Sequence, residues 1–426
     1  MPTKYQVKHF KTRLQPRRPS AAKLQVAPVD ENFGDQGYCY VVDQDSARHS
    51  LCADIVQSPI KAGVFYSVAS FYRTADNQDD TFIVRLDANG KVEKRLVKIE
   101  DHLSEGTFWP KQLIADANGK ILCHGTATVN GSTASRIWRF NDDGSLDTGF
   151  AGKGYIEADD LNLSGLIQIW ASADGYFVTG QSGTHKLLAL ASNGSINEDF
   201  GQRGTVDLAS IFSQPVIGSL GLCMAVLGRN CIVTAILNDA DDNFYSQVVK
   251  IAHDGKLDTQ FADRGRYTAE HGTLYHNLSV DASSQVITVY GSHTFDDFKT
   301  EFPEVQRLDA DGKPHEKFNE GNPLRFTAPG GWDHMHEFEG RLMGWGGFYT
   351  HNRAVCYTLE GQLDTSFVPP DGYGMLDIPV GAGGFEPDYD ASVAFVANSG
   401  RMLVCGQNFY NDDKSVDAVI AAIAYS

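Results

Sequence analysis

The chain has 426 residues, with 42 glycines, 17 tyrosines, 24 phenylalanines and a net charge of −18. That charge excludes general phosphate-backbone binding by the body of the protein and favours solubility. Length alone would suggest two or three domains, and no apolar run approaches the length of a membrane span.

Residues 1–28 contain no acidic residue but carry Lys4, Lys8, Lys11, Arg13, Arg17, Arg18 and Lys23. A solvated, disordered tail is expected there; the alternative is an arm that docks on an acidic surface, a membrane or a nucleic acid. The segment lacks the apolar stretch of a signal peptide. The expected location is therefore the cytoplasm, or the exterior by a route without a classical signal.

From residue 29 onward a phrase recurs. Asn141-Asp-Asp-Gly-Ser-Leu-Asp-Thr-Gly-Phe150 returns as Ser192-Asn-Gly-Ser-Ile-Asn-Glu-Asp-Phe200, as His253-Asp-Gly-Lys-Leu-Asp-Thr-Gln-Phe261 and as Glu360-Gly-Gln-Leu-Asp-Thr-Ser-Phe367. A period of roughly 50 to 60 residues marks a propeller, a solenoid or an array. Each repeat opens with two apolar stretches around a turn signal, as in Gln112–Gly125, Ile167–Gly180 and Leu278–Gly291. A third strand follows a variable loop: Phe82–Leu86, Arg136–Phe140, Lys186–Leu190 or Gln247–Ile251. An Asx-Gly turn then leads to a fourth strand. Four short strands with no helical period describe a propeller blade.

The register within the phrase is strict. An apolar residue lies six positions after the turn glycine each time: Gly90 to Leu96, Gly144 to Phe150, Gly194 to Phe200, Gly255 to Phe261, Gly312 to Phe318 and Gly361 to Phe367. Such spacing predicts a plug seated in the same pocket of every blade. The Asx residues suit turns better than calcium, which takes about six to eight oxygens.

The seventh blade is split between the termini. Val29–Gly37 matches only the fourth strand, whereas Ser392–Gly406 and Ala418–Ala422 match the first three. The predicted fold is all-β: a single seven-bladed propeller over residues 29–426, closed when the N-terminal strand pairs with the C-terminal ones. Closure hides edges that an open array would expose. Seven cysteines with irregular spacing and no CxxC pair indicate neither a disulfide framework nor a zinc site; Cys123, Cys231 and Cys405 sit in apolar runs and read as small buried hydrophobes, and a reducing compartment fits best.

The stretch Arg139–Gly154 resembles the bacterial delta-60 repeat. Lys250–Gly265 matches it well, while Gly312–Phe318 and Gly90–Leu96 are degraded copies. The resemblance implies a propeller-like surface or binding module. It brings no catalytic motif, so no functional residue is carried over.

Function should lie where the repeat fails. Gly330–Phe338 is the clearest break, with His334 and His336 two apart and hence on one face of a strand. That spacing suits a metal or a general base, or hydrogen-bonded polar lining at a strand start. No third ligand is fixed by the sequence, so no metal and no cofactor are expected. If equivalent positions converge at the channel mouth, Trp109, His276, Trp332, His334, His336 and Asp388 would form a ligand site there; scattered core and rim residues are the plainer reading. The aromatics would stack on a sugar or another polar ligand and the polar groups would orient it. His124, His185 and His293 are expected in loops or at the rim. No nucleophile elbow, P-loop or dinucleotide fingerprint is present. A non-catalytic binding protein with a protein or carbohydrate partner is the first reading. A hydrolase or lyase acting on a saccharide or small polar molecule is the second, and an exported effector or toxin component the third.

Overall fold

The computed structural model describes residues 30–35, 37–41, 49–73, 78–214, 216, 222–241, 243–295, 300–326, 329–348, 351–364, 366–367, 375–379, 385–387, 392–396, 399–409 and 416–424. The basic segment and Asp388 lie outside them. The described strands form a seven-bladed β-propeller of four-stranded antiparallel blades.

Blade 1 contains His49–Gln57, Val64–Arg73, Gln78–Asp87 and Val92–Lys98. Blade 2 contains Gly106–Ala115, Ile121–Val129, Ser132–Phe140 and Tyr155–Glu157; blade 3, Gly165–Ser172, Gly175–Ser182, Thr184–Ala191 and Thr205–Asp207. Blade 4 contains Leu222–Leu227, Asn230–Asn238, Phe244–Ile251 and Arg266–Thr268; blade 5, Thr273–Val280, Ile287–Thr294, Glu301–Leu308 and Leu324–Arg325. Blade 6 contains His334–Phe338, Arg341–Phe348, His351–Thr358 and Met375–Pro379. First strands of successive blades touch from blade 7 through blades 1 to 6, which places them around the axis.

Blade 7 joins both ends of the chain. Val393–Val396, Arg401–Phe409 and Val416–Ala424 supply three strands, and Phe385–Pro387 pairs further along Arg401–Phe409. Tyr38–Tyr40 adds the outer strand, antiparallel to Val419–Ala421. The Asp30 N–H donates to the Ala422 carbonyl at 2.9 Å, and the Ala422 N–H to Gly37 at 3.0 Å. Arg401 pairs with Asp30 and donates to the carbonyl of Ala88 in blade 1 at 3.1 Å. Burial alone would raise the Asp30 carboxyl, but bonds from Asn32 and Arg401 outweigh it and hold it below its ordinary value.

Strand alternation divides the apolar residues among layers between successive blades. In blade 2, Ile121, Cys123 and Trp138 face blade 1, while Leu122 and Ile137 face blade 3. Comparable layers occupy each of the other interfaces, including the seam between blades 7 and 1. All seven cysteines are buried thiols, including Cys123, Cys231 and Cys405, whose apolar runs indicated it.

The fixed register of the phrase has a geometric cause. Phe33, Phe150, Phe200, Phe261, Phe318 and Phe367 are each at most 1% exposed. At Gly90, Gly194, Gly312 and Gly361 the plug ring of one blade lies under the turn glycine of the next; at Gly255 the backbone of Gly201, the residue after Phe200, takes that place. A Cβ on Gly90 would fall 2.7 Å from the Phe33 ring, one on Gly194 2.8 Å from Phe150, and one on Gly312 2.7 Å from Phe261. These glycines also have φ of +76°, +86° and +83°, where a side chain is strained. The residue after five of the plugs donates its N–H to the turn carbonyl of the next blade: Gly34 to Asn89 at 2.7 Å, Ala151 to Asn193 at 2.7 Å, Gly201 to Asp254 at 2.9 Å, Ala262 to Asp311 at 2.6 Å and Asn319 to Glu360 at 2.9 Å. Arg139 completes the unit in blade 2. Its guanidinium lies 4.3 Å from the Phe150 ring centroid, bonds Asp147 at 2.9 Å, and reaches Ser192 of blade 3. The Asx side chains cap their own turns, as Asp143 accepts the Ser145 N–H at 2.9 Å.

Two outcomes test this construction. Phe150→Ala should lower unfolding free energy by about 3–5 kcal/mol, read by urea denaturation. Gly194→Ala should also destabilise, and the double variant should lose less than the sum, because the new methyl enters the space that the ring vacates. Deleting residues 29–40 removes the Phe33 plug and the outer strand of blade 7, and should lower Tm markedly; an unchanged Tm would refute closure.

Candidate functional site

The topology gives the ring two unlike faces. On one face, termed the turn face, first and second strands are joined by short turns, and third and fourth strands by the repeat phrase, as in 141–154 and 252–265. The opposite face, termed the loop face, carries the second-to-third connections and the crossings between blades. These are irregular in length, as in 208–221 and 326–333.

Polar groups of the inner strands are largely engaged in joining blades. Blades 1, 2, 3 and 5 have a register shift in the first strand, at Ala53, Lys111, Ile167 and His276. The residue after the shift reaches the next blade. Asp54 accepts the Leu113 N–H at 2.6 Å; Gln112 pairs with both the N–H and the carbonyl of Ile169, each at 3.0 Å; Asn277 donates to the Asp333 carbonyl at 3.0 Å. Burial pushes the Asp54 carboxyl up to about 6, although bonds from Ser392, Leu113 and Ile55 favour its charged form.

The residues singled out by the broken repeat do not all join one mouth. Trp109 lies at the loop-face end of blade 2 and is 49% exposed. His276 is in blade 5, with blades 3 and 4 between them, and burial lowers its pKa. Trp332 is 1% exposed and packs in the layer between blades 5 and 6, so it has no open face for a sugar. His334 and His336 do come together, with ring centroids 6.4 Å apart. Burial pushes His336 down to about 4, and its ring lies 6.4 Å from Phe395 of blade 7. That imidazole is half-buried beside the seam between blades 6 and 7. His124 and His293 are also buried and lie within strands, not in loops, with His293 near the loop-face end of blade 5.

A different cluster stands at the loop-face end of blade 5. Tyr275, Gly291, Glu304 and Arg325 form one cross-strand row, and Thr273 and His293 a second row on the same sheet face. Fully buried Glu304 accepts from Tyr275 Oη at 2.8 Å, Thr273 Oγ1 at 3.3 Å and Arg325 Nε at 2.6 Å. Thr273 Oγ1 also bonds His293 Nδ1 at 3.0 Å. Arg325 extends outward to pair with exposed Glu270 and lies 5.5 Å from the ring centroid of Phe295. Phe295 is 68% exposed and packs edge-on against His293 at 4.4 Å. Glu270, His293 and Glu304 each offer a ligand atom within 4.8 Å of the others. Arg325 already binds both carboxylates and supplies the positive charge that a metal ion would bring.

The cluster inverts a repeat pattern. Arg136 pairs with Glu157 in blade 2 and Lys186 with Asp207 in blade 3, and Arg353 stands in register with Asp377 in blade 6. There the third strand carries the cation, whose long stem can reach water. In blade 5 the third strand carries Glu304 and the fourth Arg325. A short carboxylate at this position stays buried. The signal was present in the sequence: Glu304-Val-Gln-Arg-Leu308 begins with an acid where Arg136, Lys186 and Gln247 stand in sister strands.

A family model described as a domain of unknown function (DUF5122) beta-propeller matches residues 117–150. No curated protein matches the chain. Among solved structures, the β-propeller domain of the Trilobed protease from Pyrococcus furiosus is similar at 9% identity and TM-score 0.49, over 88% of this chain and 94% of that one. The polysaccharide lyase Uly1 is similar at 10% identity and TM-score 0.47, over 92% and 93%. The acylaminoacyl peptidase of Pyrococcus horikoshii is similar at 9% identity and TM-score 0.46, over 84% of this chain but 49% of the peptidase. Likeness at this level assigns no activity.

Burial pushes the Glu304 carboxyl up to about 7 from an ordinary 4.5, against hydrogen bonds from Tyr275 and Thr273 that favour its charged form. Between these values the folded chain holds a proton that the unfolded chain has released. The stabilisation is full below the unfolded value and is lost as pH rises through the folded one. Glu304→Gln should remove this component. Between pH 4.5 and 8, thermal melts should show a steeper decline for the wild type than for the variant; parallel curves would exclude the shift.

Proposed function

We propose that the protein is a non-catalytic binding propeller that presents a saccharide or protein-binding surface on its loop face. The observation that carries this reading is the placement of Trp109 and Phe295. Both are large, exposed aromatic rings on that face, and neither belongs to the repeat phrase. Phe295 also borders Glu270 and Arg325, so an apolar platform adjoins groups that orient polar ligands. The turn face is used by the plugs and turn glycines. The resemblance of the phrase to bacterial delta-60 repeats supports the same reading.

A hydrolase or lyase acting on a saccharide is a second reading, favoured by one observation. A carboxyl titrating near 7 and bonded to a tyrosine suits a general acid at neutral pH. Glycan-array binding followed by oligosaccharide titration tests the first reading. Trp109→Ala and Phe295→Ala should each weaken binding about two- to tenfold at unchanged Tm, since an aromatic contact contributes about 0.5–1.5 kcal/mol. Binding indifferent to both substitutions would defeat it. Turnover of a bound glycan, abolished by Glu304→Gln with binding retained, would establish the second reading instead.

A further inference from the structure

The seam that closes the ring contains two thiols in contact. Cys52 belongs to the first strand of blade 1 and Cys405 to the second strand of blade 7, 353 positions apart in the chain. Their sulfurs lie 3.0 Å apart, and Cys52 Sγ also lies 3.0 Å from Ser67 Oγ. Both residues are fully buried in the layer between blades 7 and 1. Cys39, from the outer strand of blade 7, shares that layer. Cys123, Cys231 and Cys356 lie in three other layers, and Cys223 in the inner strand of blade 4.

We infer that Cys52 and Cys405 are the two halves of a disulfide that locks the ring when the propeller closes under oxidising conditions. An S–S bond is about 2.0 Å long, so the sulfurs need approach by only about 1 Å, a small side-chain adjustment. The chemistry is thiol–disulfide exchange with a small disulfide such as oxidised glutathione. One cysteine thiolate attacks the oxidant, forms a mixed disulfide and expels one glutathione thiolate. The second cysteine thiolate attacks the protein sulfur of that intermediate and expels the other. The two thiols lose two electrons and two protons, and the oxidant leaves as two reduced glutathiones.

The timing follows from burial. A small oxidant cannot reach either sulfur in the closed ring, and burial and the neighbouring Cys52 thiol push the Cys405 thiol well above its ordinary value, so its thiolate is scarce there. Exchange therefore belongs to the open chain, before the seam is sealed. The redox state of the pair records the compartment in which the ring closed. Reduced cytoplasm leaves two packed thiols; an oxidising compartment leaves a covalent ring.

The test uses the full chain, unfolded in urea with reductant and refolded either in a glutathione redox buffer or with reductant present. Free thiols are then alkylated in denaturant, and peptides are mapped by mass spectrometry without reduction. The expected result in the redox buffer is a Cys52–Cys405 cross-link, with the other five of the seven cysteines alkylated. The oxidised protein should melt higher by on the order of 5–10 °C, as expected of a cross-link that closes a long loop. Cys39→Ser should keep both the link and the Tm gain, and Cys405→Ser should lose both. Seven alkylated cysteines after oxidative refolding, a link through Cys39, or a link with no change in Tm would each overturn the inference. The peptide map of the wild type decides the pairing even if a serine variant folds poorly.

Discussion

The seating of a plug, or of the backbone just after it, against the next turn glycine is the constraint on which the ring depends. It couples three requirements at once. The turn must have positive φ, it must lack a Cβ, and a ring must arrive from the preceding blade at a fixed distance along the chain. A bond from the following N–H to the turn carbonyl then fixes how one blade sits on the next. Because the same unit recurs, each blade is placed by its predecessor, as expected of a repeat whose stability comes from neighbour contacts. Blade 1 receives its plug, Phe33, from the segment that also supplies the outer strand of blade 7. The N-terminal segment thus completes one blade and seats the next. Arg401 reinforces the joint by binding Asp30 and Ala88 together.

This explains why so much of the fold was legible in the sequence. The spacing from glycine to phenylalanine reflects a physical distance, so loops could vary while the interval stayed constant. Blade number and the split of the seventh blade followed from counting that interval. Leu96 shows how far the rule bends: an aliphatic plug, 9% exposed, meets Gly144 through its backbone carbonyl, 2.5 Å from where a Cβ would stand. The fold tolerates a smaller plug in one blade because the glycine remains.

The candidate site was less legible, for an equally physical reason. Function was sought where the phrase breaks; at one such break Trp332 packs in the layer between blades 5 and 6, and the His336 ring lies 6.4 Å from that of Phe395 in blade 7. An inner strand lies between two cores, so a large residue there can pack sideways and never meet the channel. Polar residues of the inner strands such as Gln112 and Asn277 are likewise committed, because they bond the neighbouring blade. Side-chain direction at a register shift does not follow from simple alternation, which is why His276 and its counterparts could not be placed by spacing alone.

The inversion at Glu304 and Arg325 required a comparison between blades at one row of the sheet. Such a comparison separates two kinds of departure from a repeat. A change in size, as at Leu96 or Trp332, is absorbed by adjacent packing. A change in the sign of charge at a buried row must be answered by other polar groups, and Tyr275, Thr273, His293 and Glu270 gather around the inverted pair. Replacing a buried ion pair with apolar residues is often neutral or stabilising, so closure of the ring does not require this network. Its position under Phe295, where the loop face opens, concentrates charge, a titratable proton and an exposed ring at one blade end. Recognition chemistry at this blade can therefore differ from that of its neighbours while the plugs and turn glycines continue to hold the ring from the opposite face.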